Sequence, residues 1–143
     1  MTEPLFQKIL IATDGSEKNQ AAVLEALRIG RASGAVVYAV YVEDLSVFES
    51  ASPDLVIGDS WAVVEREVAL ALDRVRAMAE GVTLETVTLQ GKPAIEIVRF
   101  AVEKHIDLIV IGTQGKRGLE RLLLGSVAES VIRTAPCRVL VVK

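Results

Sequence analysis

Apolar and polar positions along the chain alternate between two kinds of segment. Short apolar runs read as strands: KILIAT at 8–13, AVVYAVYV at 35–42, VTLETVTL at 82–89, IDLIVI at 106–111 and CRVLVV at 137–142. Longer stretches with helical spacing lie between them. In 17–34, Ala22, Leu24, Ala26, Leu27 and Ile29 make a broad apolar stripe, Asp14, Gly15 and Ser16 supply a turn and a helix cap, and Gly34 stands where a C-terminal cap belongs. Residues 61–80 repeat the pattern at Val64, Val68, Leu72 and Val75 and stop at Gly81. Pro93 opens a third helix, AIEIVRFAVEKH, at a position where a missing N–H costs nothing, and VAESVIRTA forms a fourth before Pro136 forces an extended turn.

The alternation predicts a doubly wound α/β fold with right-handed crossovers, in one domain spanning residues 1–143. IDLIVI is apolar without alternation and suits a central strand covered on both faces, whereas VTLETVTL alternates and suits an edge. Residues 43–60, with Pro53 and Gly58, show no clear period and read as an irregular connection.

Composition narrows the function. The longest uninterrupted apolar stretch is AVVYAVYV, well short of the roughly 20 residues of a membrane helix, and the N-terminus lacks the basic-then-apolar order of a secretion signal, so a cytoplasmic protein without membrane contact is expected. One cysteine, Cys137, and one histidine, His105, exclude an intramolecular disulfide and a thiolate metal site and leave little for a serine hydrolase. The formal net charge of −3 argues against nucleic acid as a main partner, so any anion site must be local.

Such a local site is suggested by GTQGKRGLERLLLGS, residues 112–126. Its glycines, at 112, 115, 118 and 125, let a backbone approach oxygens closely and expose successive N–H groups, and Lys116, Arg117 and Arg121 against Glu120 make the segment positive inside an acidic protein. Gly125 and Ser126 stand at a helix start, where unpaired N–H groups favour an anion. Leu119, Leu122 and Leu123 have one-turn helical spacing. A purely structural reading also exists: Ser126 and Glu129 form an S-x-x-E capping box. That reading leaves the N–H groups of Ser126 and Val127 free, so both can hold. In a doubly wound sheet, ligands lie beyond the carboxyl ends of the strands where strand order reverses, which points to this loop and to the loop carrying Asp14.

The spacing G-x-x-G, nine residues, then G-S, with KILIATDGSE at the start, GKPAIEIV before the fourth strand and LLLGSVAESVIRTAPCRVLVVK at the end, closely resembles the ATP-binding subgroup of the universal stress protein family over essentially the whole chain. The resemblance implies a five-stranded parallel sheet in order 3-2-1-4-5 with helices on both faces, of the Rossmann-like, adenine nucleotide alpha hydrolase-like kind. It implies an ATP site lined by Ala12, Thr13, Asp14, Ile111, Gly112 and Thr113. Val42 would meet adenine through its backbone, and Gly115, Lys116, Arg117, Gly125, Ser126 and Val127 would receive phosphates and ribose. An acid such as Asp14 beside phosphates calls for a sugar hydroxyl, a base nitrogen or Mg²⁺ between them. The resemblance also implies a homodimer paired through strand 137–142. Many members have histidine where this chain has Gln114, so any ring contact there is lost.

Three functions stay open: nucleotide as a regulatory ligand in a stress response, a slow or partner-activated ATPase, and a nucleotide-free interaction module. The intact signature counts against the third, and the lack of an evident general base beside the glycines counts against the second. His105 is expected to serve a helix C-terminus, Trp61 to pack, and Cys137 to be a small core residue.

Overall fold

β-branched and other apolar residues fill the centres of the middle strands, as in ILI at 9–11 and LIVI at 108–111, so the sheet they build must be covered on both faces. The computed structural model describes residues 3–46, 59–113 and 124–143. The strands are β1 (Lys8–Ala12), β2 (Val36–Glu43), β3 (Thr83–Gln90), β4 (Leu108–Gly112) and β5 (Arg138–Val142), all parallel and in the order β3-β2-β1-β4-β5. The helices are α1 (Gln20–Ser33), entered through a 3-10 turn at Glu17–Asn19, α2 (Asp59–Met78), α3 (Pro93–Glu103) and α4 (Ser126–Thr134).

Two apolar clusters sandwich this sheet. Ile9, Ile11, Val37 and Val110 point toward α1 and α2, meeting Ala26, Leu27, Val68 and Leu72; Leu10, Val40 and Ile109 point the other way, toward Ile97 and Phe100 of α3 and Val131 of α4. Ile9, Leu10 and Ile11 are all fully buried, and each such side chain contributes about 1.5–3 kcal/mol relative to exposure. β3 is an edge and keeps its alternation of exposed and half-buried positions, as its sequence pattern predicts.

Several local expectations are corrected. Leu24 is about half exposed; the buried stripe of α1 is Ala22, Val23, Ala26, Leu27 and Gly30. Ser16 does not cap its helix with its side chain, because its hydroxyl is given to Asp14. The Ser126/Glu129 capping box is not formed: Gly125 is the N-cap and the Glu129 carboxylate accepts from Arg133 one turn later (2.8 Å). Trp61 lies at the surface, with its ring N–H donated to Glu65 Oε1 (2.7 Å), since it sits on the solvent side of α2. Cys137 is half-buried against the α3/α4 cluster, just ahead of β5.

His105 has a role more specific than its sequence neighbourhood indicates. It adopts φ 55°, the left-handed conformation. Its N–H donates to Val102 O (3.3 Å), and the next residue, Ile106, donates to Ala101 O (2.9 Å). That pair of bonds is a Schellman cap closing α3, with histidine where glycine is usual.

Candidate functional site

The chain winds from β1 out to β3 on one side and returns to β4 and β5 on the other, so the carboxyl ends of β1 and β4 flank the point where strand order reverses. Ala12, Val42 and Ile111 lie at the last or next-to-last positions of three neighbouring strands, β1, β2 and β4, and all pack in the same apolar cluster. Val127, at the start of α4, joins them there. The sequence candidates therefore converge as an apolar shelf at one end of the sheet.

Val42 carries an unusual backbone opportunity. Backbone polar groups of successive strand residues face opposite neighbours. Val40 O accepts from Thr13 N (2.9 Å) on the β1 side, and Glu43 O accepts from Gly91 N (3.0 Å) on the β3 side. Val42 therefore faces the β1 side as Val40 does, but β1 ends at Ala12, opposite Val40. Its N–H and C=O lie past the ladder, where a planar base with a donor and an acceptor on one edge could pair with them.

The β1–α1 loop is held in a defined shape. Asp14 Oδ1 accepts from both the N–H (2.8 Å) and the hydroxyl (2.6 Å) of Ser16, and its other oxygen makes no hydrogen bond among the described residues. Thr13 is buried, and its hydroxyl oxygen accepts from Gly15 N at 3.4 Å. Gly15 has φ 76°, and a Cβ placed on it would come within 2.9 Å of the Ala71 methyl of α2. Arg74, one turn farther along α2, donates to Gly15 O (3.2 Å). Ala71 and Arg74 thus pin the Asp14 loop from a helix nearly sixty residues away, a role no local pattern reveals.

The other wall is the start of α4. Thr113 N donates to Val142 O (3.1 Å), and Thr113 O accepts from Gly125 N (2.7 Å), which draws the end of β4 against the N-cap of α4. The Gly125 N–H is therefore engaged and cannot itself receive an anion. The first helical bond runs from Glu129 N to Gly125 O (3.0 Å), leaving the N–H groups of Ser126 and Val127 without helical partners at the positive end of the helix. Gly115, Lys116 and Arg117 lie outside the described residues, as do Gln114, Arg121, the leucines at 119, 122 and 123, and residues 47–58 of the irregular connection. No cluster of metal-binding side chains occurs among the described residues. None of the helices described is long and apolar enough to cross a membrane.

An open parallel α/β sheet with an apolar shelf and a helix N-terminus at its switch point places this chain in the class of small doubly wound α/β proteins. Comparison makes this specific: residues 5–143 match the Universal stress protein family, and the chain belongs to that family. A relative from Methanocaldococcus jannaschii, described as a universal stress protein, is 48% identical over 147 residues, covering 99% of this chain and 84% of that one. Among solved structures, the universal stress protein UspA from Lactobacillus plantarum superposes with a TM-score of 0.82 at 30% identity, over 96% of this chain and 98% of that one. A universal stress protein in complex with cAMP matches with a TM-score of 0.69 at 28% identity, covering 96% of both chains. One from Archaeoglobus fulgidus in complex with dAMP matches at 0.64 and 26%, covering 97% of this chain and 99% of that one.

Proposed function

We propose that this chain is a single-domain, ATP-binding universal stress protein in which the nucleotide acts as a regulatory ligand of a stress response. The observation that carries the reading is the backbone of Val42, left beyond the end of β1 on a shelf with Ala12 and Ile111, facing a helix start at Ser126 and Val127. Adenine would lie on the shelf and pair with Val42, and ribose and phosphates would run past Asp14, Gly112 and Thr113 toward the N–H groups of α4. The cAMP and dAMP complexes of related chains support an adenine nucleotide as the class of ligand. Both ligands are monophosphates, so the preference for ATP rests on the glycine signature that continues through Gly115, Lys116 and Arg117. Asp14 has a carboxylate oxygen to spare and would tolerate the phosphates best through a ribose hydroxyl or Mg²⁺. In this reading the protein is cytoplasmic and pairs with a second copy through β5.

The test is to purify the chain without added nucleotide, denature it, and identify what is released, then to titrate the emptied protein with Mg-ATP, AMP and cAMP by calorimetry. ATP at close to one equivalent, or ATP bound more tightly than AMP and cAMP, supports the reading. A protein that carries no nucleotide and takes up none returns it to an interaction module, and ADP as the released species moves weight to hydrolysis. Bound ATP at a hundred times its dissociation constant should add about 2.7 kcal/mol of stability.

A further inference from the structure

Arg28, Arg76, Arg99 and Arg133 each pair with an acid three or four residues away on the same helix. Arg74 does not: among the described residues its one hydrogen bond runs from Nη1 to Gly15 O (3.2 Å), and no carboxylate pairs with it. The carbonyl it takes belongs to the same peptide unit as the Ser16 N–H. A trans peptide is planar, with its C=O and N–H pointing in opposite directions, so a partner that fixes one also fixes the other. Ser16 N donates to Asp14 Oδ1 (2.8 Å), and the Ser16 hydroxyl adds a second bond to the same oxygen (2.6 Å). A line of contact therefore runs from the guanidinium, through one peptide plane, to one oxygen of the Asp14 carboxylate. Gly15, at φ 76°, has no Cβ to resist rotation of that plane, so its orientation depends on the partners on either side. A cation on the carbonyl also polarises the peptide and makes its N–H the better donor.

We propose that Arg74 is a positioning residue for Asp14: it sets the Gly15–Ser16 peptide so that one carboxylate oxygen is held and the other is left free for the ligand. The proposal rests on the nucleotide reading above, in which Asp14 meets a ribose hydroxyl or Mg²⁺, and it names the group that keeps Asp14 in place for that contact. Arg74 acts through the peptide and takes no part in touching the ligand. Ala71, one turn earlier on α2, meets Gly15 from the same helix, so the loop already lies against α2 and the arginine has only to orient the peptide. A single N–H of Arg74 is used, so lysine can supply the bond and methionine cannot.

Arg74→Met and Arg74→Lys test this in two arms. In the full chain without nucleotide, hydrogen exchange of the Ser16 amide should speed up about fivefold in Arg74→Met and return toward the parent rate in Arg74→Lys, with the amides of β1 and β4 unchanged. Equal Ser16 exchange in the parent and Arg74→Met overturns the proposal. The second arm is a double-mutant cycle on calorimetric Mg-ATP affinity. Arg74→Met should weaken binding about fivefold in the parent and leave it unchanged in an Asp14→Ala background, because the two residues act as one unit. An equal loss in both backgrounds overturns the proposal, since a structural role independent of Asp14 gives that additivity. A parent chain that takes up no nucleotide defeats the ATP reading, whereas Ser16 exchange decides the role of Arg74 without any nucleotide present.

Discussion

Asp107 clasps the entry of β4 to that of β1 at Lys8. Its Oδ1 accepts from Lys8 N (3.1 Å) and its Oδ2 from Gln7 N (2.8 Å), while its own N–H donates to Lys8 O (2.9 Å). The carboxylate thus satisfies two main-chain donors at the start of the first strand, at the end of the sheet opposite the apolar shelf. Charged acceptors contribute more than neutral ones, about 1.5–3 kcal/mol each at most. Asp107→Ala should lower the urea midpoint by an amount worth about 2 kcal/mol with nucleotide affinity unchanged in the surviving folded protein. An unchanged midpoint would show the clasp to be decorative.

The same carboxylate acts electrostatically on the thiol of Cys137. Burial first, and Asp107 second, push that thiol above its ordinary value, because both disfavour a thiolate. The proton therefore stays on sulfur at neutral pH, and alkylation in the folded protein should be slow, rising only as pH passes above the usual thiol range. Asp107→Asn should shift this rate profile to lower pH. A rate at pH 7 equal to that of a free cysteine would contradict the assignment.

His105 occupies a left-handed position that costs a non-glycine residue about 1–2 kcal/mol. It is exposed, and no side-chain hydrogen bond of its own offsets that cost among the described residues. His105→Gly should raise the melting temperature by a stabilisation of about 1 kcal/mol, partly reduced by the greater freedom glycine has when unfolded. A lower melting temperature would reveal a hidden contact of the imidazole.

Gly30 interrupts α1, and propensity alone would recommend alanine there by about 1 kcal/mol. Packing reverses the sign, since a Cβ on Gly30 would overlap Cγ2 of the fully buried Val37 in β2. Gly30→Ala should destabilise by about 1–3 kcal/mol, the cost of overpacking. Adding Val37→Ala should make the pair less destabilising than the sum of the two single changes, and simple additivity in denaturation would refute the overlap.

Gly125 separates stability from binding. At φ −63° and ψ 159° it has the N-cap geometry any residue can adopt, and it supplies no side-chain cap. Aspartate is among the best N-caps, so Gly125→Asp should fold at least as stably as the parent, by a few tenths of a kcal/mol. The new carboxylate would, however, stand where phosphates are proposed to meet Ser126 and Val127. Calorimetric affinity for Mg-ATP should fall at least tenfold; retained affinity in a well-folded variant would remove this helix start from the site.

The sequence by itself determined the alternation of strands and helices, the edge character of β3 and the glycine stop of α1 at Gly34. These are written in local periodicity and turn chemistry, which hydrophobic burial enforces wherever the chain goes. Residues 12, 42 and 111 are far apart in the chain, and their meeting was legible only through the resemblance to a family. The tertiary structure decided the rest. It placed Val42 two residues past the last β1 pairing, a matter of register between strands. It set Ala71 and Arg74 against Gly15 and engaged the Gly125 N–H with Thr113. It left Asn19 Oδ1 without a partner. Each of these depends on which atoms come within hydrogen-bond or van der Waals reach across long stretches of chain, and no local pattern encodes that distance.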